Sequence, residues 1–575
     1  MTALRHICIL RFRGLAALEW APRDGVNGLI GPGDSGKSSL LDAIDLVLAP
    51  RRNVTLTDAD FFNLDVSAPI EISATLGDLP DNLQDLDAYG QYLRGWDAVS
   101  KTVLDEPADS LEVVLTLRLI VDSDLEPRWT LFSERAAADG HGRDLPFAER
   151  VRLAPTRLGP FATHHFSWGA RSVLNRISDE RASASQALAE AAREARKTFG
   201  DRASAQVAET LRIVEEVAAA AGVRGAAEVQ ALLDAHGVSF SGGAIALHDG
   251  AGIPLRNLGV GSSRLLVANL QAVAGETASI SLIDELEHGL EPYRIARLLH
   301  TLGSKTAVPQ AQVFLTTHSP ICVRELAARQ LWKVHRDGVG SVSVTELGAG
   351  ADDQATLRAC AEAFLAPHVL VCEGATEVGL ARGLDLYWAE QEGQTLAMHG
   401  VALADGGGSN FVARALCFAS LGYRTGLWRD SDVVLSVDQV SALGAAGVTE
   451  FHWAAPNSTE QQLFLALPDA AVDRMLQIAI DHYGDDAVAQ HLANVEPGCD
   501  LDLLRLVGTF DAAERAALGQ AAGRYRWFKT VDQGERLGRE VLGPHLDGAA
   551  HPVPAVIAAL RAWIAGLPPE EVDGL

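Results

Sequence analysis

The chain has 575 residues, of which 48% are hydrophobic and 21% charged, a composition typical of a globular protein with two or three domains. Its net charge of −27 argues against a broadly basic surface for nucleic acid, so any DNA contact would depend on local patches and bound metal. No apolar run approaches the roughly 18 residues of a membrane span. The N-terminus has no signal-peptide pattern, and the six scattered cysteines form no CxxC pair. We therefore expect a cytoplasmic protein without a membrane partner.

A glycine-rich stretch at residues 31–38 is the strongest motif, because it matches G-x-x-x-x-G-K-[ST] at every fixed position. The apolar run Val26 to Ile30 before it predicts a buried strand, and residues 38–48 after it have helical spacing. In such a loop the backbone N–H groups converge on phosphate oxygens, the lysine reaches the β- and γ-phosphates, and the hydroxyl residue holds Mg²⁺. We expect an ATP site formed by Gly31, Gly33, Asp34, Ser35, Gly36, Lys37, Ser38 and Ser39.

The segments around this loop predict a mixed α/β first domain. Residues 4–20 alternate as in a hairpin, and residues 68–76 and 111–121 have the apolar patterns of strands. Alanine-rich segments from Ser178 onward predict a helical insertion at about 170–235. Their periodicity fits a solvated arm and a dimer contact equally well.

Three further stretches place polar residues at the ends of predicted elements. Residues 258–264 (LGVGSSR) form a second glycine- and serine-rich loop, before a predicted helix at 265–274, and so a second phosphate-binding candidate. An apolar strand at 280–283 ends in two acids; the first suits a metal shell and the second could orient or deprotonate the attacking water. A histidine after the strand at 313–315 suits a γ-phosphate sensor. The candidates are Gly261, Ser262, Asp284, Glu285 and His318.

In this order the four stretches resemble the head of ABC-type ATPases, over about residues 1–347, and residues 287–292 (EHGLEP) resemble the D-loop of those heads. With no transporter membrane domain in the sequence, the closer resemblance is to DNA-maintenance heads. In that group two heads pair head-to-tail, which implies that Ser262 and Ser263 act on the nucleotide of a second subunit. Asp34 departs from the asparagine that such heads often have, and an acid there could weaken nucleotide binding or change nucleotide preference.

A glycine-rich stretch predicts a linker at 348–356, and a second α/β pattern with a helical C-terminal region covers 357–575. Three apolar strands in this part are each followed by acids. Carboxylates at the C-terminal ends of parallel strands favour Mg²⁺ or Mn²⁺, and two such ions suit hydrolysis of a phosphodiester. The expected metal residues are Glu373, Glu377, Asp430, Asp432 and Glu460, besides Ser38 and Asp284 in the ATP site.

The motifs EG…E at 373–377 and DSD at 430–432 resemble the Toprim domain that topoisomerases and primases share, and the glycine run at 405–410 resembles a loop of one Toprim branch. An ABC-type head followed by a Toprim domain resembles the OLD family of ATP-dependent endonucleases, which includes the nuclease subunit of the Gabija antiphage system. The resemblance covers nearly the full chain. It implies that Glu373 is the catalytic metal-site acid and that Lys529 is the catalytic lysine. Trp428 stands where some relatives have a small hydroxyl residue.

A basic stretch near the C-terminus is a candidate local patch for DNA contact despite the net charge of −27. Aromatic residues lie between its cations, a pattern that predicts contact with a phosphate backbone and stacking on bases. An amphipathic surface helix is the alternative. The cations are Arg524, Arg526, Lys529, Arg536 and Arg539.

The sequence therefore predicts an α/β protein with an ABC-type ATPase domain, a helical insertion and an α/β Toprim domain. We expect a metal-dependent DNA endonuclease under ATP control, in antiphage defence or DNA processing. The expected partners are DNA, further copies in a dimer or tetramer formed through the heads and the insertion, and a helicase. Resemblance to Gabija implies that nucleotide holds the nuclease off. The alternatives are an ATP-dependent DNA clamp and a nucleotide sensor that signals to a helicase, both without nuclease activity.

Overall fold

The computed structural model falls into two compact units, each described by itself. One comprises residues 1–27 and 38–317, and the other residues 28–37 and 318–575. The domain boundary expected near residue 347 stays a prediction. The structure describes residues 2–50, 54–158, 163–167, 174, 190–191, 194, 198, 207–220, 246–273, 279–309, 311–348, 350–454 and 456–567.

Strands and helices alternate along the described chain. The strands are β1 (Ala3–Phe12), β2 (Leu15–Trp20), β3 (Val26–Ile30), β4 (Ile70–Gly77), β5 (Leu93–Asp97), β6 (Thr102–Leu104), β7 (Glu112–Val121), β8 (Pro127–Phe132), β9 (Thr156–Leu158), β10 (Ile280–Ile283), β11 (Gln312–Thr316), β12 (Leu331–Arg336), β13 (Ser341–Glu346), β14 (His368–Cys372), β15 (Val401–Asp405), β16 (Arg424–Arg429) and β17 (Thr449–His452). The helices are α1 (Lys37–Val47), α2 (Leu86–Tyr89), α3 (Glu134–Ala138), α4 (Phe147–Leu153), α5 (Ala208–Ala220), α6 (Val260–Val273), α7 (Pro292–Thr301), α8 (Pro320–Glu325), α9 (Ala351–Ala359), α10 (Ala375–Glu392), α11 (Phe411–Ser420), α12 (Val437–Ala445), α13 (Thr459–Ala466), α14 (Asp469–Tyr483), α15 (Asp485–Ala493), α16 (Leu501–Val507), α17 (Ala512–Tyr525), α18 (Val531–Arg536), α19 (Gly543–His545) and α20 (Val553–Ala565).

The first unit contains an antiparallel and a parallel group of strands. The antiparallel order is β6-β5-β7-β4-β1-β2, and β8 pairs with β7. The parallel group is β9-β10-β11, with Leu282 opposite Phe314. All four residues of β10 are apolar or small, and Leu282 and Ile283 are buried, as expected of a strand covered on both faces. The acids that follow this strand therefore stand at the exit of a buried parallel strand.

The second unit contains two further groups. In the first, β3 pairs in parallel with β12, and β12 pairs with β13. In the second, four parallel strands have the order β15-β14-β16-β17. Helices α13, α14 and α17 contribute many residues of the core beside this sheet. The C-terminal ends of β14 and β16 are adjacent, since Cys372 is opposite Trp428.

The α/β class is confirmed, and the strands predicted around 26–30, 68–76, 111–121, 280–283 and 313–315 are present. The stretch expected as a linker is partly helical, because α9 begins at Ala351. Most of the expected insertion at about 170–235 lies outside the described residues, apart from α5 and a few single positions. Strand β15, which precedes the glycine run at 405–410, was not predicted.

No single helix in the described parts of the chain is long and apolar enough to cross a membrane. Two consecutive helical segments, Val531–Gly548 and Val553–Ala565, are together long and apolar enough by length and composition alone, but they are bent relative to each other.

Candidate functional site

The phosphate loop connects β3 to α1 and needs glycine at specific points. Gly31 has φ +145°, and a Cβ there would clash with the carbonyl oxygen of Val334. Gly36 has φ +96°. Asp34 has φ +58°, a left-handed conformation that aspartate and asparagine tolerate better than most residues. The loop thus brings its backbone N–H groups to the N-terminus of α1, where an anion is favoured.

The side chain of Lys37 folds back onto its own loop. Its ammonium donates to the carbonyl oxygens of Gly31 at 2.9 Å and Pro32 at 2.7 Å, and to the hydroxyl of Ser35 at 3.3 Å. Lys37 is only 5% exposed. These neutral acceptors hold the charge in place, and phosphate oxygens would be stronger partners for it.

Asp284, just after β10, contacts the hydroxyl residue that ends the phosphate loop. Its Oδ1 accepts hydrogen bonds from Ser38 at 3.2 Å and from Thr316 at 2.6 Å. A hydroxyl beside a carboxylate is the donor set that Mg²⁺ takes in P-loop nucleotide sites. Ser38 and Asp284 therefore fit the metal that accompanies a nucleotide.

Glu285 adopts an unusual backbone conformation. Its φ is +46°, which is rare for a residue with a side chain, and its N–H donates to the Thr316 hydroxyl at 2.8 Å. The hydrogen bond holds this strained turn, in which Asp284 and Glu285 are adjacent. His318 is exposed and precedes α8, in the second unit.

The glycine–serine stretch differs from the expected loop before a helix at 265, because α6 already begins at Val260. Gly261 and Ser262 therefore lie in the first turn of α6. A Cβ on Gly261 would clash with the carbonyl oxygen of Gly289, so glycine permits this close approach. The Ser262 hydroxyl accepts from Arg294 at 3.1 Å.

Arg264 is a site residue that the sequence analysis did not select. It is fully buried, and it donates to the carbonyl oxygens of Asp284 at 3.0 Å and His288 at 3.4 Å. Burial lowers its pKa, although Glu287 opposes the effect. Arg264 therefore links the start of α6 to the turn formed by Asp284 and Glu285, which we call the acidic turn. Its position directly after two serines was the available signal.

In the second unit, three carboxylates form one compact group. One oxygen from each of Glu373, Asp430 and Asp432 lies within 4.8 Å of the other two. Glu373 follows β14 and Asp430 follows β16, and the backbone N–H of Asp430 donates to Glu373 Oε2 at 3.1 Å. We call these three residues the acidic triad.

The acidic triad has the properties of a cation site. Burial, a hydrogen bond with Asp432 and the charge of Glu373 together raise the pKa of Asp430 to about 9. Burial also raises the pKa of Glu373. Among the described residues, Asp430 Oδ1 is buried without a hydrogen-bond partner. Crowded carboxylates with an unsatisfied oxygen are the hard donor set that Mg²⁺ or Mn²⁺ prefers.

Two other predicted metal acids lie outside this group. Glu377 is buried, and its oxygens accept from the Gly374 N–H at 3.2 Å and the Thr459 hydroxyl at 2.7 Å. Burial raises its pKa to about 7. Glu460 is fully buried, and its Oε1 lies 3.1 Å from the ammonium of Lys529. The structure thus places Glu377 and Glu460 in supporting contacts.

The ammonium of Lys529 is oriented toward acids. Burial alone would lower its pKa, but the charges of Glu460 and Glu377 raise it. The backbone before it is also fixed, because the Thr376 hydroxyl donates to the carbonyl oxygen of Phe528 at 3.0 Å. Lys529 is therefore a charged, positioned cation whose charge also acts on Glu373.

A close helix crossing, which the sequence analysis missed, brings α18 and the π-helical turn Leu537–Leu542 that follows it against α10. A Cβ on Gly379 would lie 2.6 Å from the Cα of Gly534, and one on Gly383 would lie 2.8 Å from the Cα of Gly538. Gly379 and Gly383 are spaced as G-x-x-x-G along the chain, and so are Gly534 and Gly538. This spacing allows two helix backbones to touch. This repeated spacing was a signal in the sequence.

The prediction that aromatic residues in the basic stretch stack on bases is wrong for Trp527 and Phe528, because both are fully buried in the core. Its cations are also partly neutralised. Arg536 pairs with Glu540 and Asp481, and Arg539 pairs with Glu390. Arg524 and Arg526 of this stretch are exposed.

Comparison with known proteins gives one family. The sequence model of the family described as "AAA domain, putative AbiEii toxin, Type IV TA system" matches residues 26–324. No curated protein matches the chain.

Solved structures show weak similarity to the fold. The SMC head domain from Thermotoga maritima is 14% identical, covers 60% of this chain and 99% of its own, and has a TM-score of 0.29. An SmcHead bound to the C-winged helix domain of ScpA is 13% identical, with coverages of 60% and 96% and a TM-score of 0.31. An Smc head domain bound to the C-terminal domain of ScpA, derived from Pyrococcus furiosus, is 12% identical, with coverages of 60% and 97% and a TM-score of 0.30.

Proposed function

The chain belongs to the AAA-domain family whose sequence model it matches, and on that premise we propose that it is an ATP-regulated, metal-dependent DNA endonuclease. The ATPase part follows from the family. The nuclease part, with a Toprim-like domain after an ABC-type head as in the OLD family, is our proposal. We place the protein in the cytoplasm, in antiphage defence or DNA processing.

The acidic triad is the observation that carries the nuclease proposal. Glu373, Asp430 and Asp432 present oxygens within 4.8 Å of one another at the C-terminal ends of adjacent parallel strands. That edge of an open α/β sheet is where ligands bind. A bound Mg²⁺ or Mn²⁺ would polarise a phosphodiester and lower the pKa of the attacking water.

The other residues of this site position and neutralise charge. Lys529 would stabilise the negative charge that develops on the phosphate during hydrolysis. Glu460, fully buried, holds the Lys529 ammonium at 3.1 Å. Glu377 stays anchored to Thr459 and to the N-terminus of α10, and so supports the turn that carries Glu373.

Hydrogen bonds in the first unit support the proposal that nucleotide controls the nuclease. Asp284 contacts Ser38 directly, and Glu285 shares the Thr316 hydroxyl with it. A nucleotide that recruits Ser38 and Asp284 would change these hydrogen bonds at the acidic turn. Ser262 in the first turn of α6 would serve a second subunit in a dimer or tetramer. ATP is proposed to restrain cleavage.

Relaxation of supercoiled plasmid in Mg²⁺ or Mn²⁺ tests the nuclease proposal. Wild-type protein should nick or linearise the plasmid, and Asp432→Asn should not. Asp473→Asn, an exposed acid on α14, is the matched control and should cleave like the wild type. Plasmid that stays supercoiled with the wild type in both metals would reject the proposal.

A second candidate is an ATP-dependent DNA clamp or a nucleotide sensor that signals to a helicase. Two observations favour it: the family match ends at residue 324, before the acidic triad, and the net charge is −27. ATP hydrolysis or ATP-dependent DNA retention without any cleavage would select this candidate.

A further inference from the structure

A cavity of about 650 Å³ in the second unit adjoins the phosphate loop and extends to side chains that neither site described above includes. One wall is the loop from Pro32 to Ser35, and another is the end of β12. Most of its charged side chains are cationic or can become so. The charged lining residues are Lys333, His335, Arg336, His368 and Arg424, with Asp34 and Asp337 as the acids.

The Lys333 ammonium is buried without a carboxylate. Lys333 is 4% exposed, and its Nζ donates to the carbonyl oxygen of Leu421 at 2.9 Å and lies 3.7 Å from the centre of the Tyr423 ring. No acid pairs with it in the parts of the chain that the structure describes. Burial lowers the pKa of Lys333 to about 8.

The side chains of Arg424 and His368 likewise have no carboxylate partner among the described residues. The guanidinium of Arg424 lies 4.7 Å from the centre of the Trp563 ring, and its buried Nε has no partner among the described residues. The buried Nδ1 of His368 likewise has none. Burial lowers the pKa of both groups, and the charge of Arg424 lowers that of His368 further.

The two acids of the lining do not cancel these charges. Asp337 Oδ1 accepts from the N–H groups of Val339 and Ser341, in the turn after β12. Asp34 is exposed on the phosphate loop. A buried cationic group without carboxylates costs free energy, and a bound anion would offset that cost.

The cavity shares part of the phosphate loop with the nucleotide cradle, since residues 32–35 line it. Neither Lys37 nor Ser38 lines it, and the Lys37 ammonium is turned toward Gly31 and Pro32. Residues 32–35 therefore belong to the cavity lining, and Pro32 and Ser35 also contact the ammonium of the cradle. A ligand in the cavity would fix the conformation of the loop that binds the nucleotide.

We propose that this cavity binds a small anion carrying several phosphate groups. The volume lies within the range of small-molecule sites. Apart from two imidazoles, the lining has no ring on which a base could stack, which favours a small polyphosphate over a nucleic-acid strand. This inference does not depend on nuclease activity.

Calorimetric titration of the full chain with sodium tripolyphosphate, in EDTA, tests the proposal. The chain carries Lys37→Ala in every sample, which weakens the nucleotide cradle. We expect one saturable site. Adding Arg336→Gln or Arg424→Gln should weaken binding about tenfold or more, because each removes a charged contact. Arg358→Gln, an exposed arginine on α9, is the control and should leave affinity unchanged.

Arg336 is exposed, so its variant keeps the test valid if Arg424→Gln does not fold. Binding that is absent, or equally tight in Arg336→Gln and the control, would overturn the proposal. Displacement of tripolyphosphate by a decathymidylate strand, but not by pyrophosphate, would also overturn it, because the site would then take nucleic acid.

Discussion

Mg²⁺ should stabilise the wild-type protein and not Asp430→Asn. At the 4.8 Å limit of the acidic triad, two ionised carboxylates repel each other by about 3.5 kcal/mol at an effective dielectric constant of about 20. A divalent cation removes this repulsion. With Mg²⁺ at about ten times its Kd, the free energy of unfolding should rise by about 1.4 kcal/mol, or about 2–5 °C in Tm.

The pH dependence of this effect has a definite sign. Without metal, the folded-state pKa values of Glu377, about 7, and Asp430, about 9, lie above those of the unfolded chain, 4.5 and 3.8. The folded protein therefore holds protons that the unfolded chain has released. Their contribution to stability is fully present below about pH 4 and is lost as pH rises through 7 and 9.

Thermal unfolding from pH 6 to 9, in EDTA and in Mg²⁺, measures both effects. Subtracting the Asp430→Asn curve from the wild-type curve isolates the contribution of Asp430. In EDTA that difference should fall as pH rises, and Mg²⁺ should reverse the fall. Asp473→Asn should behave like the wild type. An equal Mg²⁺ shift in Asp430→Asn and wild type would refute a cation site at the acidic triad.

Three further predictions concern other contacts. Gly383→Ala should destabilise the protein by about 2–4 kcal/mol, because the added Cβ would clash with the backbone of the facing helix. The control Gly444→Ala has nothing within 4 Å of the added Cβ and should be neutral or slightly stabilising, with Tm as the measurement for both variants. Lys333→Met should raise the free energy of unfolding at pH 7 by about 1–2 kcal/mol, because the buried ammonium is charged and disfavoured below pH 8. This gain should vanish toward pH 10.5. An unchanged Tm at pH 7 would contradict the prediction. Lys529→Met should abolish cleavage and lower Tm, because it leaves the fully buried Glu460 unpaired, and retained Tm with Lys529→Met would argue against that ion pair.

The phosphate loop and the acidic strand ends were predictable because their signals are local. Residues 26–38 encode strand, turn and helix in one continuous stretch, and the structure has β3, the loop and α1 there. The acids Glu373 and Asp430 each follow an apolar strand. Parallel pairing of those strands then brings the acids together.

Other features depend on contacts between distant segments, which a single sequence does not reveal. Lys333 and Arg424 belong to different strands, and only the fold places them on one cavity. The segment around Trp527 and Phe528 looked like a binding surface because cations flank the rings. Their complete burial shows that the rings pack into the core, while the arginines reach solvent or acids.

Plasmid cleavage across an ATP titration tests the central claim most directly, with wild type, Glu373→Gln and Lys37→Ala compared in Mg²⁺. We predict that the wild type cleaves supercoiled plasmid, that ATP suppresses this cleavage, that Glu373→Gln does not cleave, and that Lys37→Ala cleaves without responding to ATP. Cleavage that persists in Glu373→Gln would contradict the assignment of the acidic triad as the nuclease centre. Cleavage that is faster with ATP would contradict the proposed sign of control.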